Sequence, residues 1–313
     1  MSQLFNASNR VIVIVGPTAV GKTDLSLAIA SRFDAEIINA DSMQLYRCMD
    51  IGTAKVPLDQ RNGITHHMLD VLDVTESANV AHYQRQARSV VSDVLARGKR
   101  VVVVGGSGLF VQGLLDDLQF PGSDPDIRER LINEAQQHGT ELLYARLKTF
   151  DPQAAASILP TNQRRIIRAL EVIEITGQSP TTTLAQLPEI VPSIRIGVRR
   201  DRSELDVRIE QRVDAMWKSG FIDEVRALEA QGLREGLTAS KALGYAQILE
   251  LLAGDITEGD AKTNTVTATR RYVRRQESWF NRDGRIEWFA SSGESASSLD
   301  AEVADYIHSI DSA

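Results

Sequence analysis

Short apolar runs alternate with amphipathic stretches over the first third of the chain. VIVIV (11–15) is bounded by Gly16 and Pro17. A β-branched run of that length with no polar alternation predicts a strand buried on both faces of a parallel sheet. KTDLSLAIASRF (22–33) instead repeats apolar residues at helical spacing, with Leu25, Ala28, Ile29 and Phe33 on one side. AEIINADS (35–42) predicts a second strand ending near Asp41. VAHYQRQARSVVSDVLARG (80–98) predicts a helix stopped by Gly98, and KRVVVVGGSG (99–108) a buried strand running into a glycine turn. Strands alternating with helices predict a doubly wound α/β core.

The pattern changes after Gly113. From about 118 to 193 the periodicity is helical, with no convincing buried strand. SDPDIRERLINEAQQHG (123–139) starts on a Ser/Asp–Pro cap signal and ends at Gly139. SIRIGVRR (193–200) returns to strand character. Two helical stretches follow, 204–232 and 260–281, and RIEWF (285–289) predicts a last short strand. Beyond Ala290 the chain is rich in Ser, Glu and Asp, which predicts a partly mobile tail.

Composition narrows the class. The 313 residues are 42% apolar and 25% charged, with a net charge of -7. A sizeable core is affordable, and a polyanionic partner must be met by local basic patches. Cys48 is the sole cysteine, so intrachain disulfides and cysteine-based zinc sites are excluded. It reads as a small buried residue. The N-terminal MSQLFNASNR has no apolar signal core and VIVIV is too short to span a bilayer. The expectation is a soluble cytoplasmic protein without a membrane partner.

The stretch between the first strand and first helix carries the first chemistry. Gly16, Pro17, Thr18, Ala19, Val20, Gly21, Lys22 and Thr23 fit the phosphate-loop pattern G-x-x-x-x-G-K-[ST] at every fixed position. The glycines let backbone N–H groups turn inward around phosphate oxygens, and the helix N-terminus adds partial positive charge. Lys22 supplies a mobile cation and the Thr23 hydroxyl a magnesium ligand. The expected architecture is therefore a P-loop NTPase-like α/β core, a parallel sheet flanked by helices, formed by residues 1–117 and 194–313. A helical insertion domain, 118–193, interrupts it.

The loop specifies a polyphosphate and nothing finer. The strand VVVVGGSG ends without the acid that a nucleotidase uses for Mg²⁺, whereas the strand ending at Asp41 has one. Asp41 should face the same crevice as the loop, by the rule that ligands sit at the carboxyl ends of parallel strands. Spacing leaves it either a metal ligand or a general base.

Taken together, GPTAVGKT, ADSMQLYRCMDIGTAK (40–55), HHMLDVLD (66–73), VVVVGGSGLFVQGLL (101–115), RRIIRALEV (164–172) and SKALGYAQI (240–248) occur in an order that resembles the tRNA dimethylallyltransferases. The resemblance runs from about residue 11 to about residue 290. It implies transfer of a five-carbon group from dimethylallyl diphosphate to the exocyclic amine of the adenosine at position 37, in the anticodon stem-loop of tRNA. The phosphate loop would then hold a leaving diphosphate, with Mg²⁺ as cofactor, and Asp41 would be the base. By the same resemblance Asp41, Ser42, Met43, Gln44, Ser107, Arg128, Arg164, Arg165, Arg168, Lys241, Gly244 and Tyr245 contact tRNA. A monomer is the expected state.

Three departures stand out. Ser107 replaces the usual Thr, Thr161-Asn162 stands where Asn-Asp is common, and Ala246 stands where Arg is common. Arginines at 195, 199, 200, 202, 208, 212 and at 270, 271, 274, 275 read as basic surface for RNA, with Arg208 and Arg212 also able to reach the diphosphate. His66 and His67 read as structural, and Trp217, Trp279 and Trp288 as core anchors. The rivals are an adenylate isopentenyltransferase using a free nucleotide, a small-molecule P-loop kinase, and an RNA-binding ATPase switch.

Overall fold

The computed structural model describes residues 9–177, 187–291 and 296–312. Most of the N-terminal segment read above, part of the helical insertion and residues 292–295 of the tail lie outside them. The chain divides into two compact units, Met1–Asp116 with Glu189–Ala313, and Asp117–Pro188.

In the first unit six strands, β1 (Val11–Val15), β2 (Ala35–Asn39), β3 (His66–His67), β4 (Arg100–Gly105), β5 (Ser193–Arg199) and β6 (Ile286–Ala290), form one sheet in the order β3-β2-β4-β1-β5-β6. Every pairing is parallel. Strand β1 lies between β4 and β5, with Val13 opposite Val103 and Ile14 opposite Ile196. Its run without polar alternation is explained by the layers on either side. Val11, Val13 and Val15 pack with Tyr83, Ala87 and Val91 of α2 (Val80–Ala96). Ile12 and Ile14 pack with Leu25 and Ile29 of α1 (Lys22–Arg32). Truncating one such fully buried aliphatic side chain costs about 2–5 kcal/mol.

The second unit holds α4 (Pro125–His138), α5 (Thr140–Phe150), α6 (Pro152–Ser157) and α7 (Gln163–Thr176), with α3 (Gly108–Leu115) preceding them in the first unit. Leu131, Leu143, Leu147, Ile166 and Leu170 form its core. Asp124 caps α4 by accepting from the Asp126 and Ile127 N–H groups. Asn162 caps α7 by accepting from the Arg165 N–H, so the Thr161-Asn162 departure keeps a capping side chain. The chain re-enters the first unit before Ser193. Asp116 and Glu189 form an antiparallel bridge, and the Ile190 and Val191 N–H groups both donate to the Leu115 carbonyl.

Several expectations need correction. The stretch 204–232 is two helices, α8 (Arg202–Lys218) and α9 (Phe221–Glu229), broken at Gly220, whose φ of 90° is left-handed. Between α9 and α11 (Glu258–Phe280) lies a further helix, α10 (Tyr245–Ala253). From Ala296 onward the tail is α12 (Ala296–Asp311), whose Leu299, Val303, Ala304 and Ile307 are buried against the sheet. Cys48 is exposed, not buried, at a left-handed φ of 61°. Arg195 is no RNA-facing cation. It is buried, and it donates to Asp116, Glu189 and Asp283. Its place on β5 turns it to the layer that holds those acids. The other arginines divide. Arg200, Arg202 and Arg270 are engaged by Glu204, Asp206, Glu210 and Glu277, leaving Arg208 and Arg212 on the side of α8 that faces the phosphate loop.

Candidate active site

The phosphate loop, Asp41 and the glycine turn after β4 meet at the carboxyl ends of β1, β2 and β4, where the topology of an open parallel sheet places ligands. Within GPTAVGKT, Gly16, Ala19 and Gly21 have φ of 146°, 64° and 107°. Such alternation aims successive N–H groups into one concavity. Ala19 is the strained member, and its carbonyl accepts from Arg208 Nε at 2.8 Å. Lys22 Nζ donates to the Pro17 carbonyl at 2.7 Å, which arches the ammonium over the loop. Burial lowers the Lys22 pKa to about 7, Asp41 opposing the shift and Arg212 reinforcing it. Burial also lowers Arg212, again opposed by Asp41 and reinforced by Arg208. Lys22 and Arg212, with Arg208 beside Arg212, thus crowd one acid, a field suited to a multiply charged anion.

Asp41 is held by local chemistry. Asn39, buried at the end of β2, donates from Nδ2 to the Asp41 and Met68 carbonyls and accepts the Asp41 N–H on Oδ1. Tyr83 of α2 donates to the Asn39 carbonyl. The Asp41 carboxylate accepts from the Met43 N–H at 3.0 Å, which shapes the turn 41–43. Ser107 reaches this turn. Its Oγ accepts from the Ser42 N–H at 3.1 Å and donates to Ser42 Oγ at 3.2 Å. A hydroxyl alone suffices for these contacts, so Ser in place of Thr keeps them.

A cavity of about 230 Å³ joins these pieces. Thr18, Asp41, Ser42 and Met43 line one side, Ile209, Arg212, Val213 and Met216 another, and Thr265, Thr269, Tyr272 and Arg275 of α11 a third. Lys241, Leu243 and Tyr245 line it as well. The Thr265 and Thr269 hydroxyls donate back to the Ala261 and Thr265 carbonyls, so these two side chains offer the cavity little polarity. Burial and the nearby Asp41 push the Tyr272 phenol up to about 12, with hydrogen bonds to Ser107 and Gln276 opposing. Gln276 is buried. It accepts the Thr18 N–H at 2.9 Å and donates to the Gly106 carbonyl at 3.0 Å, tying the phosphate loop to the turn after β4.

Not every residue expected on tRNA lines this cavity: Gln44, Ser107 and Gly244 do not. Tyr245 lines it, but it is buried and donates its hydroxyl to Glu224. In the second unit, Arg128 and Arg168 both donate to the buried Glu171. Arg164 and Arg165 are exposed on the first turn of α7. His67 and Arg97 share Glu36, and His66 binds the Ile64 carbonyl, both structural roles. Thr53, Tyr272, Thr269 and Gln276 were missed from the sequence. For the three on α11 the spacing 265, 269, 272, 276 was the available signal, since it places Thr265, Thr269, Tyr272 and Gln276 on a single face; Thr53 had none.

The loop offers one hard oxygen that could hold a divalent cation beside a bound phosphate. Thr23 is exposed on the first turn of α1 with a hard hydroxyl oxygen. Among the described residues no cluster of three or more His, Cys, Asp or Glu could hold a metal. No described helix is long and apolar enough to cross a membrane.

Comparison with known proteins agrees with this geometry. A sequence model of the family described as IPP transferase matches residues 44–283. The tRNA dimethylallyltransferase of Thermobifida fusca is 59% identical over 283 residues, covering 89% of each chain. The crystal structure of the tRNA isopentenylpyrophosphate transferase from Bacillus halodurans superposes with a TM-score of 0.72 at 36% identity, covering 97% of each chain. A eukaryotic dimethylallyltransferase, described as acting on tRNA, superposes with a TM-score of 0.80 at 27% identity over 95% of this chain and 78% of that one. With a match over most of its length at these identities, the chain belongs to the IPP transferase family.

Proposed function

We propose that the protein transfers the dimethylallyl group of dimethylallyl diphosphate to the exocyclic amine of the adenosine at tRNA position 37, releasing inorganic diphosphate. The observation that carries this reading is the shared cavity. It opens on the phosphate loop at Thr18, on a carboxylate at Asp41, and on apolar walls from Ile209, Val213, Met216 and Leu243 between them. Apolar walls beside a phosphate loop suit an allylic chain esterified to diphosphate.

The residues sort by the bonds that change. The allylic carbon–oxygen bond breaks and its electron pair leaves with the diphosphate. The amine lone pair forms the new carbon–nitrogen bond, and Asp41 accepts the amine proton. Charge developing on the diphosphate is met by the amides of Ala19 to Thr23, by the Lys22 ammonium and by Arg212. Thr23 would hold Mg²⁺, which supplies further positive charge to the leaving oxygens. Reaching the amine requires the base to leave its stack, at a cost of about a few kcal/mol. Ser42, Met43, Gln44, Ser107 and Lys241 would receive it. Arg164 and Arg165 sit at a helix N-terminus, where the dipole disfavours cations, so a phosphate partner accounts for them. Arg128 and Arg168 remain 45% and 39% exposed beside Glu171, enough to touch a phosphate as well. The working form is read as a cytoplasmic monomer.

The test offers the protein Mg²⁺ and alkyl-labelled dimethylallyl diphosphate, with unmodified tRNA or with AMP. Label in tRNA, mapped to position 37, is expected. Label in AMP alone identifies an adenylate isopentenyltransferase and rejects the reading, as does label in neither.

A further inference from the structure

Glu224 lies on α9 and does not line the cavity. Its carboxylate nonetheless gathers four donors. Oε2 accepts the Asp50 and Ile51 N–H groups at 3.1 and 2.7 Å. Oε1 accepts the Gly52 N–H at 3.2 Å and the Tyr245 hydroxyl at 2.6 Å. Three consecutive amides converging on one anion fix the backbone of residues 50–52. Gly52 is pressed so closely to α9 and α10 that a Cβ there would meet the Phe221 and Tyr245 rings at 2.2 and 2.5 Å. The far side of the loop is pinned by Lys55, whose buried ammonium donates to Asp50, Asp70 and the Tyr46 carbonyl.

The next residue of the loop faces the cavity. Thr53 turns its hydroxyl onto the Met49 carbonyl at 2.6 Å. Its own carbonyl accepts from Gln44 Nε2 at 3.1 Å and from Arg212 Nη2 at 3.3 Å. Arg212 sits among Lys22 and Arg208, and like charges would drive a free guanidinium outward. A fixed carbonyl holds it in place.

We infer that Glu224 is a positioning residue that sets Arg212 and Gln44 at once, by fixing the loop 50–53 whose Thr53 carbonyl both of them bind. One carboxylate outside the cavity thereby aligns the donor-side cation and an acceptor-side amide. This rests on the proposed prenyl transfer, because Arg212 is taken to face a diphosphate.

Glu224→Gln keeps the side-chain volume, removes the charge and turns an NH₂ toward amide donors. Misplacement of a positioned group by about 1 Å can cost on the order of 100-fold in rate. Glu224→Gln is expected to raise the KM for dimethylallyl diphosphate and the inhibition constant of inorganic diphosphate by about tenfold each, and to raise the KM for tRNA less. Glu224→Asp, which keeps the charge, should recover part of each loss. The cycle with Arg212→Lys is the decisive readout. Adding Glu224→Gln to Arg212→Lys should change the diphosphate inhibition constant little, since the residue to be positioned is already altered. Independent, multiplicative effects would mean that Glu224 merely stabilises the fold, and would overturn the inference. So would wild-type constants for Glu224→Gln. If that variant does not fold, the same cycle run with Glu224→Asp decides between the two outcomes. Wild-type protein assayed alongside separates the two levels: inactivity toward tRNA there rejects the prenyl transfer itself.

Discussion

Strands β1 and β4 lie side by side, and each ends in a glycine turn, GPTAVGKT after the first and GGSG after the second. At Gly21 a Cβ would meet nothing within 4 Å, and the residue is required for its φ of 107°. At Gly106 the conformation is ordinary, but a Cβ would lie 2.1 Å from Gln276 Nε2. The first turn uses glycine to aim amides at a ligand. The second uses it to let α11 come close enough for Gln276 to span both turns. A glycine-rich turn is therefore not by itself a phosphate site, and only the loop with Lys22 and a helix N-terminus behind it has the charge to be one.

Asp41 lies beside both turns, and Asp41→Asn should lower turnover by about 10²–10⁴ while tRNA affinity changes little. Single-turnover transfer and filter binding report the two quantities. Lys22→Ala should lower kcat/KM for the diphosphate donor by about 10²–10³, because a fixed cation is lost where charge develops. Inhibition by inorganic diphosphate should weaken in parallel.

The Lys22 pKa of about 7 adds a pH signature. Below that value the ammonium is charged in the free protein and donor affinity is full. Bound diphosphate favours the charged form and raises the pKa, so affinity falls as pH climbs above 7, by at most about tenfold per unit for one proton. The KM for the donor measured from pH 6 to 9 should rise over that window, and the slope should vanish in Lys22→Met. The smallest effect belongs to the second turn. Gly106→Ala should cost about 1–3 kcal/mol of stability as Gln276 is displaced, seen as a lower melting temperature, with most of the catalytic rate retained.

Much of the fold was legible because it rests on local rules. The runs at β1 and β4 are uninterrupted aliphatic stretches, α1 and α2 are periodic, and the phosphate loop is a fixed-spacing pattern. What escaped had no local signal. Strand β3 is two histidines, held by pairing with Ile37 and Ile38. The break at Gly220 sits inside a continuous helical period. α12 carries Ser, Glu and Asp on its outer face and shows its few buried residues only once the sheet is present. Thr18 of the loop motif and Asp41 line one cavity, and Ser107 reaches it only through its contacts with Ser42. Glu224, Thr53, Tyr272 and Gln276 act through partners far away in the chain, such as the 258 residues separating Gln276 from Thr18, and no single-sequence pattern reports such pairs. Arg195 shows the converse error. It looks like basic surface in a row of arginines and is instead a buried member of an ion cluster.

The central claim is that the phosphate loop holds a group that departs while carbon is transferred. Dimethylallyl diphosphate labelled with ¹⁴C in the alkyl chain and ³²P in the diphosphate tests it in one reaction with unmodified tRNA. The ¹⁴C should appear in tRNA and the ³²P in free inorganic diphosphate, in equal amounts. Phosphorus label retained on the RNA, or diphosphate released without alkylation, would contradict it.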